Sequence, residues 1–148
     1  MNLILCGMMG AGKTSVGRAI ADLTGRVWCD TDDIIVKQYG PISDIFKNHG
    51  EAYFRGLETE TVKALTAQDN LVISVGGGLV LRQENVDLLR KNGKIVFLSA
   101  TVETLVQRLC ADTSRPLLQT EESLDMHLKK CCLSACRFIR AWRILLCR

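Results

Sequence analysis

The stretch Gly7-Met8-Met9-Gly10-Ala11-Gly12-Lys13-Thr14 follows an apolar run, Leu3 to Cys6, and leads into a helix-like segment that ends near Gly25. It matches G-x-x-x-x-G-K-[ST], the motif of a loop that binds nucleotide phosphates. Glycines let backbone N–H groups converge on phosphate oxygens, and the N-terminus of the next helix adds partial positive charge. In this motif Lys13 reaches the β- and γ-phosphates, and the Thr14 hydroxyl binds Mg²⁺. A glycine-rich turn matching by chance would lack the flanking strand and helix, so the sequence predicts a nucleoside triphosphate site.

Strand-like and helix-like segments alternate along the rest of the chain, which predicts an α/β fold with a parallel sheet and helices on both faces. The predicted strands are Leu3–Cys6, Val27–Asp30, Leu71–Val75 and Ile95–Leu98. Ligands of such sheets bind at the carboxyl ends of the strands. The phosphate loop, the acidic run at residues 30–32 and the triple glycine at 76–78 all follow predicted strands. We therefore expect the three segments to share one cleft.

Composition narrows the classes of protein to which the chain can belong. Its 148 residues fit one domain, and its net charge of +3 is too small to indicate nucleic acid or an anionic membrane. No apolar run approaches the roughly 20 residues of a membrane span. We expect a cytoplasmic protein, in which the seven cysteines are reduced thiols.

Two acids stand at alternate positions directly after the second predicted strand. If the strand continues through Asp30-Thr31-Asp32, both carboxylates lie on the same side of it. One acid would then orient water bound to magnesium, and the other would accept a proton from a hydroxyl substrate in phosphoryl transfer. Short acids also favour turns and helix N-termini, which is the role we assign to Asp33.

Arginines and glycines supply the remaining candidates. Arg55 carries a planar fork suited to a carboxylate, and Glu58, one helical turn later, is predicted to pair with it. Taken alone, Arg55 would be an ordinary surface residue. The triple glycine allows close approach of backbone to a ligand, or is simply a flexible turn. Arg108 and Arg115 bracket a short loop that either closes on phosphates as a lid or presents two solvated arginines.

Several of these motifs occur together in an order typical of one family. They are G-M-M-G-A-G-K-T-S-V-G-R, C-D-T-D, F-R-G-L-E, G-G-G and R-P-L-L, spread over roughly residues 1–130. In this ordered set the chain resembles shikimate kinase. The resemblance implies a P-loop kinase fold like that of nucleoside monophosphate kinases, with a five-stranded parallel sheet. It further implies phosphorylation of a shikimate hydroxyl by ATP with Mg²⁺, giving shikimate 3-phosphate and ADP in aromatic amino-acid biosynthesis. The expected partners are ATP and shikimate, and we expect a monomer.

The same resemblance implies a role for each matching residue. The ATP-binding residues would be Gly10, Ala11, Gly12, Lys13, Thr14, Ser15, Arg108 and Arg115. Of these, Thr14 would also bind Mg²⁺, Arg108 would stack on adenine, and Arg115 would neutralise phosphate charge from the lid.

On the acceptor side, the resemblance makes Asp32 the group that holds the substrate hydroxyl and accepts its proton. Arg55 would clamp the shikimate carboxylate, and Gly77 would add a backbone contact. Asp30 would contact the metal through water. Lys13, Asp32 and Arg115 are thus the expected catalytic residues.

After Lys130 the family pattern stops. The family has Arg-x-Pro-Leu-Tyr on a helix, then Ala-Asp and a last strand, whereas residues 131–148 form a basic, cysteine-rich tail. When the third base of each codon is read with the first two bases of the next, allowed codons for residues 131–144 can encode both motifs in order. We hypothesise a frameshift near codon 130; a genuine alternative ending is the other interpretation.

A divergent tail predicts a domain at residues 1–130, a missing final edge strand and impaired activity. Two other functions stay open from the sequence. One is a catalytically weak nucleotide-binding remnant, and the other is a related small-molecule kinase such as a gluconate kinase. The acidic pair, the Phe54-Arg55 motif and the triple glycine speak against the related kinase.

Overall fold

The computed structural model describes residues 1–110 and 145–147, and strands alternate with helices through the first of these ranges. The strands are β1 (Asn2–Gly7), β2 (Val27–Asp30), β3 (Leu71–Ser74), β4 (Gly93–Leu98) and β5 (Leu145–Cys147). The helices are α1 (Lys13–Thr24), α2 (Thr31–Tyr39), α3 (Ile42–Thr66), α4 (Gln83–Lys91) and α5 (Val102–Cys110). A short 3₁₀ turn, Leu79–Leu81, links β3 to α4. The alternating pattern that the sequence predicts is confirmed.

The five strands form one parallel sheet in the order β2-β3-β1-β4-β5. Successive side chains of a strand point to opposite faces. Accordingly, Ile4 and Ile73 pack in a large core cluster with residues of α3 and α4, whereas Leu5 and Val72 pack with Ala21 of α1. Helices therefore cover both faces, as predicted. The phosphate loop, between β1 and α1, lies at the carboxyl edge of the sheet.

The prediction of a missing edge strand is wrong. Leu145–Cys147 pairs with β4 in parallel, with Leu145 opposite Val96 and Cys147 opposite Leu98. The physical reason is that β4 without a neighbour would present a row of unpaired N–H and C=O groups. Even a short apolar run of the tail, Ile144 to Cys147, can satisfy them.

Helix α3 is kinked at Gly50. Gly50 has φ 79° and ψ 174°, outside the helical range, so a kink there divides α3 into two parts. Helix α3 begins at Ile42, directly after Pro41. Among the described helices, none has the length and apolarity needed to cross a bilayer.

Candidate functional site

The phosphate loop joins the central strand to α1 through two glycines with left-handed backbone. Gly10 has φ 78° and Gly12 has φ 93°, conformations that residues with a Cβ rarely adopt. Lys13 is the first residue of α1, and its Nζ donates to the carbonyl oxygens of Gly7 at 2.9 Å and Met8 at 3.1 Å. The lysine ammonium thus lies along the loop, at the positively polarised end of the helix.

Arg108 lies against the same loop although it is 98 residues further along the chain than Gly10. Its Nη1 donates to the carbonyl oxygen of Gly10 at 3.0 Å. A Cβ added at Gly12 would stand 3.7 Å from that Nη1, so the guanidinium also closes over the second glycine. The structure therefore brings Arg108 to the predicted nucleotide site. Arg115 lies outside the described residues, and its role in a lid stays a prediction.

The two acids at the end of β2 do not share one side of a strand. The strand ends at Asp30, and α2 begins at Thr31, so Asp32 lies in the first turn of a helix. Asp30 is the N-cap of α2, and its Oδ1 accepts from the Asp32 N–H at 3.0 Å. Burial raises the pKa of Asp30, although hydrogen bonds from the helix oppose this. The alternation argument is wrong because a cap side chain ends the strand, but both acids still face the sheet's carboxyl edge.

The triple glycine is a close-packed segment. A Cβ added at Gly76 would stand 2.7 Å from Oδ1 of Asp32 and 3.3 Å from Oε1 of Glu58. A Cβ at Gly78 would stand 2.6 Å from Nη1 of Arg55. The interpretation of this segment as a flexible turn fails, because two of its glycines make room for specific side chains.

The backbone of the same segment adjoins the phosphate loop and α2. A Cβ at Gly77 would stand 3.9 Å from the carbonyl oxygen of Gly7, which accepts from Lys13. The N–H of Gly76 donates to Oγ1 of Thr31 at 3.1 Å, which joins the segment to the first turn of α2. Lys13, Asp32 and Arg55 are therefore grouped around three consecutive residues.

Arg55 is held by two carboxylates on its own helix. Its Nη1 donates to Oε2 of Glu58 at 2.9 Å, which confirms the predicted pair. Its Nη2 and Nε also donate to Oε1 of Glu51, at 3.0 and 3.3 Å. Glu51 was not among the residues predicted from the sequence, although its spacing of four residues from Arg55 is a signal for such a pair. The Glu58 side chain is 1% exposed, and burial raises its pKa while the hydrogen bond from Arg55 lowers it.

A polar network ties the turn of Arg55 to the segment that follows the glycines. Nη1 of Arg82 donates to the carbonyl oxygen of Arg55 at 3.1 Å. Thr59 donates to Oδ1 of Asn85 at 2.8 Å, and Asn85 donates to the carbonyl oxygen of Leu79 at 2.9 Å. These residues were not predicted from the sequence, because they are distant in sequence and form no local pattern. Their bonds fix α3 against the 3₁₀ turn and hence fix where Arg55 lies.

The site combines the parts that phosphoryl transfer requires. The phosphate loop has two nearby cations, Lys13 and Arg108. The carboxylate of Asp32 lies against Gly76, and the guanidinium of Arg55 lies against Gly78. Positioned charge of this kind provides most of the catalysis in phosphoryl transfer. Lys13 and Arg108 lie at the phosphate loop, whereas Arg55 lies against Gly78, the last residue of the triple glycine.

Comparison with known proteins gives one consistent result. A family model described as Shikimate kinase matches residues 9–140. The chain is 49% identical over 123 residues to a shikimate kinase of Geobacter metallireducens, covering 82% of this chain and 69% of that protein. It is 45% identical over 125 residues to a shikimate kinase of Caldicellulosiruptor bescii, covering 84% of this chain and 73% of that protein.

Solved structures agree with these relatives. The shikimate kinase of Acinetobacter baumannii in complex with shikimate superposes with a TM-score of 0.88 at 36% identity, covering 99% of this chain and 82% of that one. A gluconokinase of Sinorhizobium meliloti superposes with a TM-score of 0.59 at 22% identity, covering 86% of this chain and 73% of that one, which shows a shared fold alone.

Proposed function

The chain belongs to the shikimate kinase family, and on that premise we propose that it transfers the γ-phosphoryl group of ATP to a hydroxyl of shikimate. The products are shikimate 3-phosphate and ADP. The observation that carries the proposal is the grouping of Lys13, Asp32 and Arg55 around residues 76–78. The relative solved with shikimate supports the choice of acceptor.

On the nucleotide side, backbone N–H groups of the phosphate loop bind the phosphate oxygens. The residues that we assign to this task are Gly10, Ala11, Gly12, Lys13, Thr14 and Ser15. Thr14 and Ser15 follow Lys13 at the N-terminus of α1, where the helix favours negative charge. Arg108, which donates to the carbonyl oxygen of Gly10, is assigned to stack on adenine. We assign Arg115 to the lid, where it would neutralise phosphate charge.

The oxygen donors at this edge of the sheet fit Mg²⁺. This ion prefers oxygen ligands, keeps several waters and is held mainly through substrate phosphates plus one or two protein groups. Thr14 offers a hydroxyl at the start of α1, and Asp30 offers a carboxylate through water at the end of β2. Bound there, the ion would supply positive charge that neutralises the transferred phosphoryl group.

On the acceptor side, Asp32 takes the proton of the attacking hydroxyl. The hydroxyl oxygen forms a bond to the γ-phosphorus, the bond from that phosphorus to ADP breaks, and the proton passes to the carboxylate of Asp32. Arg55 holds the shikimate carboxylate through its fork, which Glu58 and Glu51 orient. Gly77 contributes its backbone between these two groups. Asp32, Lys13 and Arg115 are thus the proposed catalytic residues.

The experiment is a coupled assay of ADP release with and without shikimate, alongside MgATP binding measured separately by calorimetry. Asp32→Asn should lower kcat by about 10²- to 10⁴-fold, the usual contribution of a general base. The matched control is Asp33→Asn, because Asp33 is exposed and lies in the same turn of α2. Equal losses in both variants, or shikimate-independent turnover, would contradict the proposal.

The same assay separates the alternatives. A nucleotide-binding remnant would bind MgATP with no turnover, and a gluconate kinase would respond to gluconate in place of shikimate. We also propose a monomer located in the cytoplasm, where ATP is supplied. Light scattering on the purified chain tests the first point, and cell fractionation tests the second.

We propose that the divergent tail, residues 131–148, lowers turnover. The resemblance implies that the arginine of Arg-x-Pro-Leu-Tyr also binds the shikimate carboxylate, so its absence should cost about 2–5 kcal/mol in binding. ATP binding should survive better than turnover. Equal turnover by this chain and by one given the motif would refute the impairment, and a coding sequence whose adjacent frame lacks the motif would refute the frameshift.

A further inference from the structure

Trp28 of β2 packs directly against the helix that follows the phosphate loop. A Cβ added at Gly17 would stand 2.5 Å from Nε1 of the indole, so α1 rests on the ring edge without any side chain between them. The guanidinium carbon of Arg18 lies 4.6 Å from the ring centroid, a favourable distance for a cation over an aromatic face. The indole is thereby fixed on two sides by consecutive residues of α1.

A hydrogen-bond relay leads from this indole to the backbone of the loop lysine. Nε1 of Trp28 donates to Oγ of Ser74 at 3.1 Å. Ser74 in turn donates to the carbonyl oxygen of Lys13 at 3.3 Å. Ser74 is completely buried and is the last residue of β3, two positions before Gly76. The relay therefore joins β2, β3 and the first turn of α1.

The chemistry of the three groups fixes the direction of the relay. An indole N–H donates and cannot accept, and a hydroxyl has one proton of its own. Because Trp28 occupies an acceptor position of Ser74, the hydroxyl proton is directed to another acceptor, and the Lys13 carbonyl is within reach. Without Trp28, the hydroxyl could rotate freely among other arrangements. The indole N–H of Trp28 thus acts on Lys13 through Ser74, whereas its ring contacts α1 directly at Gly17.

We propose that Ser74 and Trp28 are positioning residues for the phosphate loop. They hold the first turn of α1 against the end of β3, so that the helix N-terminus and Lys13 keep the geometry that a triphosphate requires. The inference rests on the proposed function, since it assumes that this loop binds ATP. It predicts an effect on nucleotide affinity that is separate from any effect on the acceptor.

The test measures the Kd for MgATP by calorimetry on the full chain, together with the KM for shikimate. Ser74→Ala removes the hydrogen bond to Lys13 and should raise the Kd for MgATP by about 3- to 10-fold, the usual range for one such bond. Trp28→Phe keeps an aromatic ring and removes the donor, so it should raise the Kd by a smaller factor. The KM for shikimate should stay unchanged in both. If Ser74→Ala does not fold, Trp28→Phe decides the question.

A double-mutant cycle tests the order of the relay. If Trp28 acts through Ser74, the double variant should bind MgATP no more weakly than Ser74→Ala alone. Thr61→Val is the matched control, because Thr61 is a buried hydroxyl that donates within α3 to the Leu57 carbonyl at 2.8 Å. It should lower the melting temperature without changing the Kd.

The outcomes separate this inference from the function on which it rests. No MgATP binding by the unaltered chain would refute the proposed function. Normal binding by the unaltered chain, with a Kd for MgATP that is unchanged in folded Ser74→Ala, would overturn the role of the relay alone. Additive effects of the two substitutions would likewise overturn it.

Discussion

Gly78→Ala displaces Arg55 without removing its charge. The backbone of Gly78 is right-handed, with φ −89° and ψ −15°, so alanine fits the main chain. Its Cβ would stand 2.6 Å from Nη1 of Arg55, whereas ordinary contact begins near 3.4 Å. The guanidinium must therefore move by about 1 Å, which is cheap for folding because the far end of a long side chain moves most easily.

The expected result is a specific loss on the acceptor side. A displacement of about 1 Å in a substrate-positioning group can cost up to roughly 10²-fold in rate. A charge-assisted hydrogen bond contributes about 1.5–3 kcal/mol, or about 10- to 100-fold. We therefore expect kcat/KM for shikimate to fall by about 10- to 100-fold, with the KM for ATP unchanged. The measurement is the coupled assay with each substrate varied in turn.

Gly56→Ala is the matched control for this substitution. Gly56 adjoins Arg55 on α3, and a Cβ there would meet nothing within 4 Å. Alanine should stabilise the helix by about 0.5–1 kcal/mol and leave the kinetics unchanged. Unaltered kcat/KM for shikimate in Gly78→Ala would refute the assignment of Arg55, and so would equal losses in the two variants.

Three further predictions follow from contacts at the site. Asp30→Asn keeps the cap acceptor and removes a partly buried charge. Burial raises the folded-state pKa of Asp30, so the protonated carboxyl stabilises the native state at low pH. This stabilisation is lost as the pH rises and the carboxyl ionises. The advantage of Asp30→Asn in free energy of unfolding should thus grow from about pH 4 upward, as denaturant titrations will show, and a constant difference would contradict it. Gly17→Ala places a Cβ against Trp28 and should lower the free energy of unfolding by about 1–3 kcal/mol in the same titrations, and unaltered stability would contradict it. Arg82→Ala removes the bond to the Arg55 carbonyl and should raise the KM for shikimate by about 3- to 10-fold, with the KM for ATP as its internal control.

Much of the fold could be predicted from the sequence because its signals are local. The first four strands are short, largely apolar runs, and each lies within two residues of its predicted position at either end. The prediction was wrong where contacts outside the local pattern determined the structure. Leu145–Cys147 pairs with the edge of β4. Asp30 is the N-cap of α2, so β2 ends before Asp32.

The sequence by itself determined the phosphate loop, the Arg55–Glu58 pair and the order of elements, since each depends on residues within a few positions of one another. Only the tertiary structure decided that Asp32 and Arg55 flank one triple glycine, and that Trp28 reaches Lys13 through Ser74. These contacts join residues 46 and 61 positions apart. Spacing along a chain carries no information about such pairs, because the packing of helices on the sheet sets their distance.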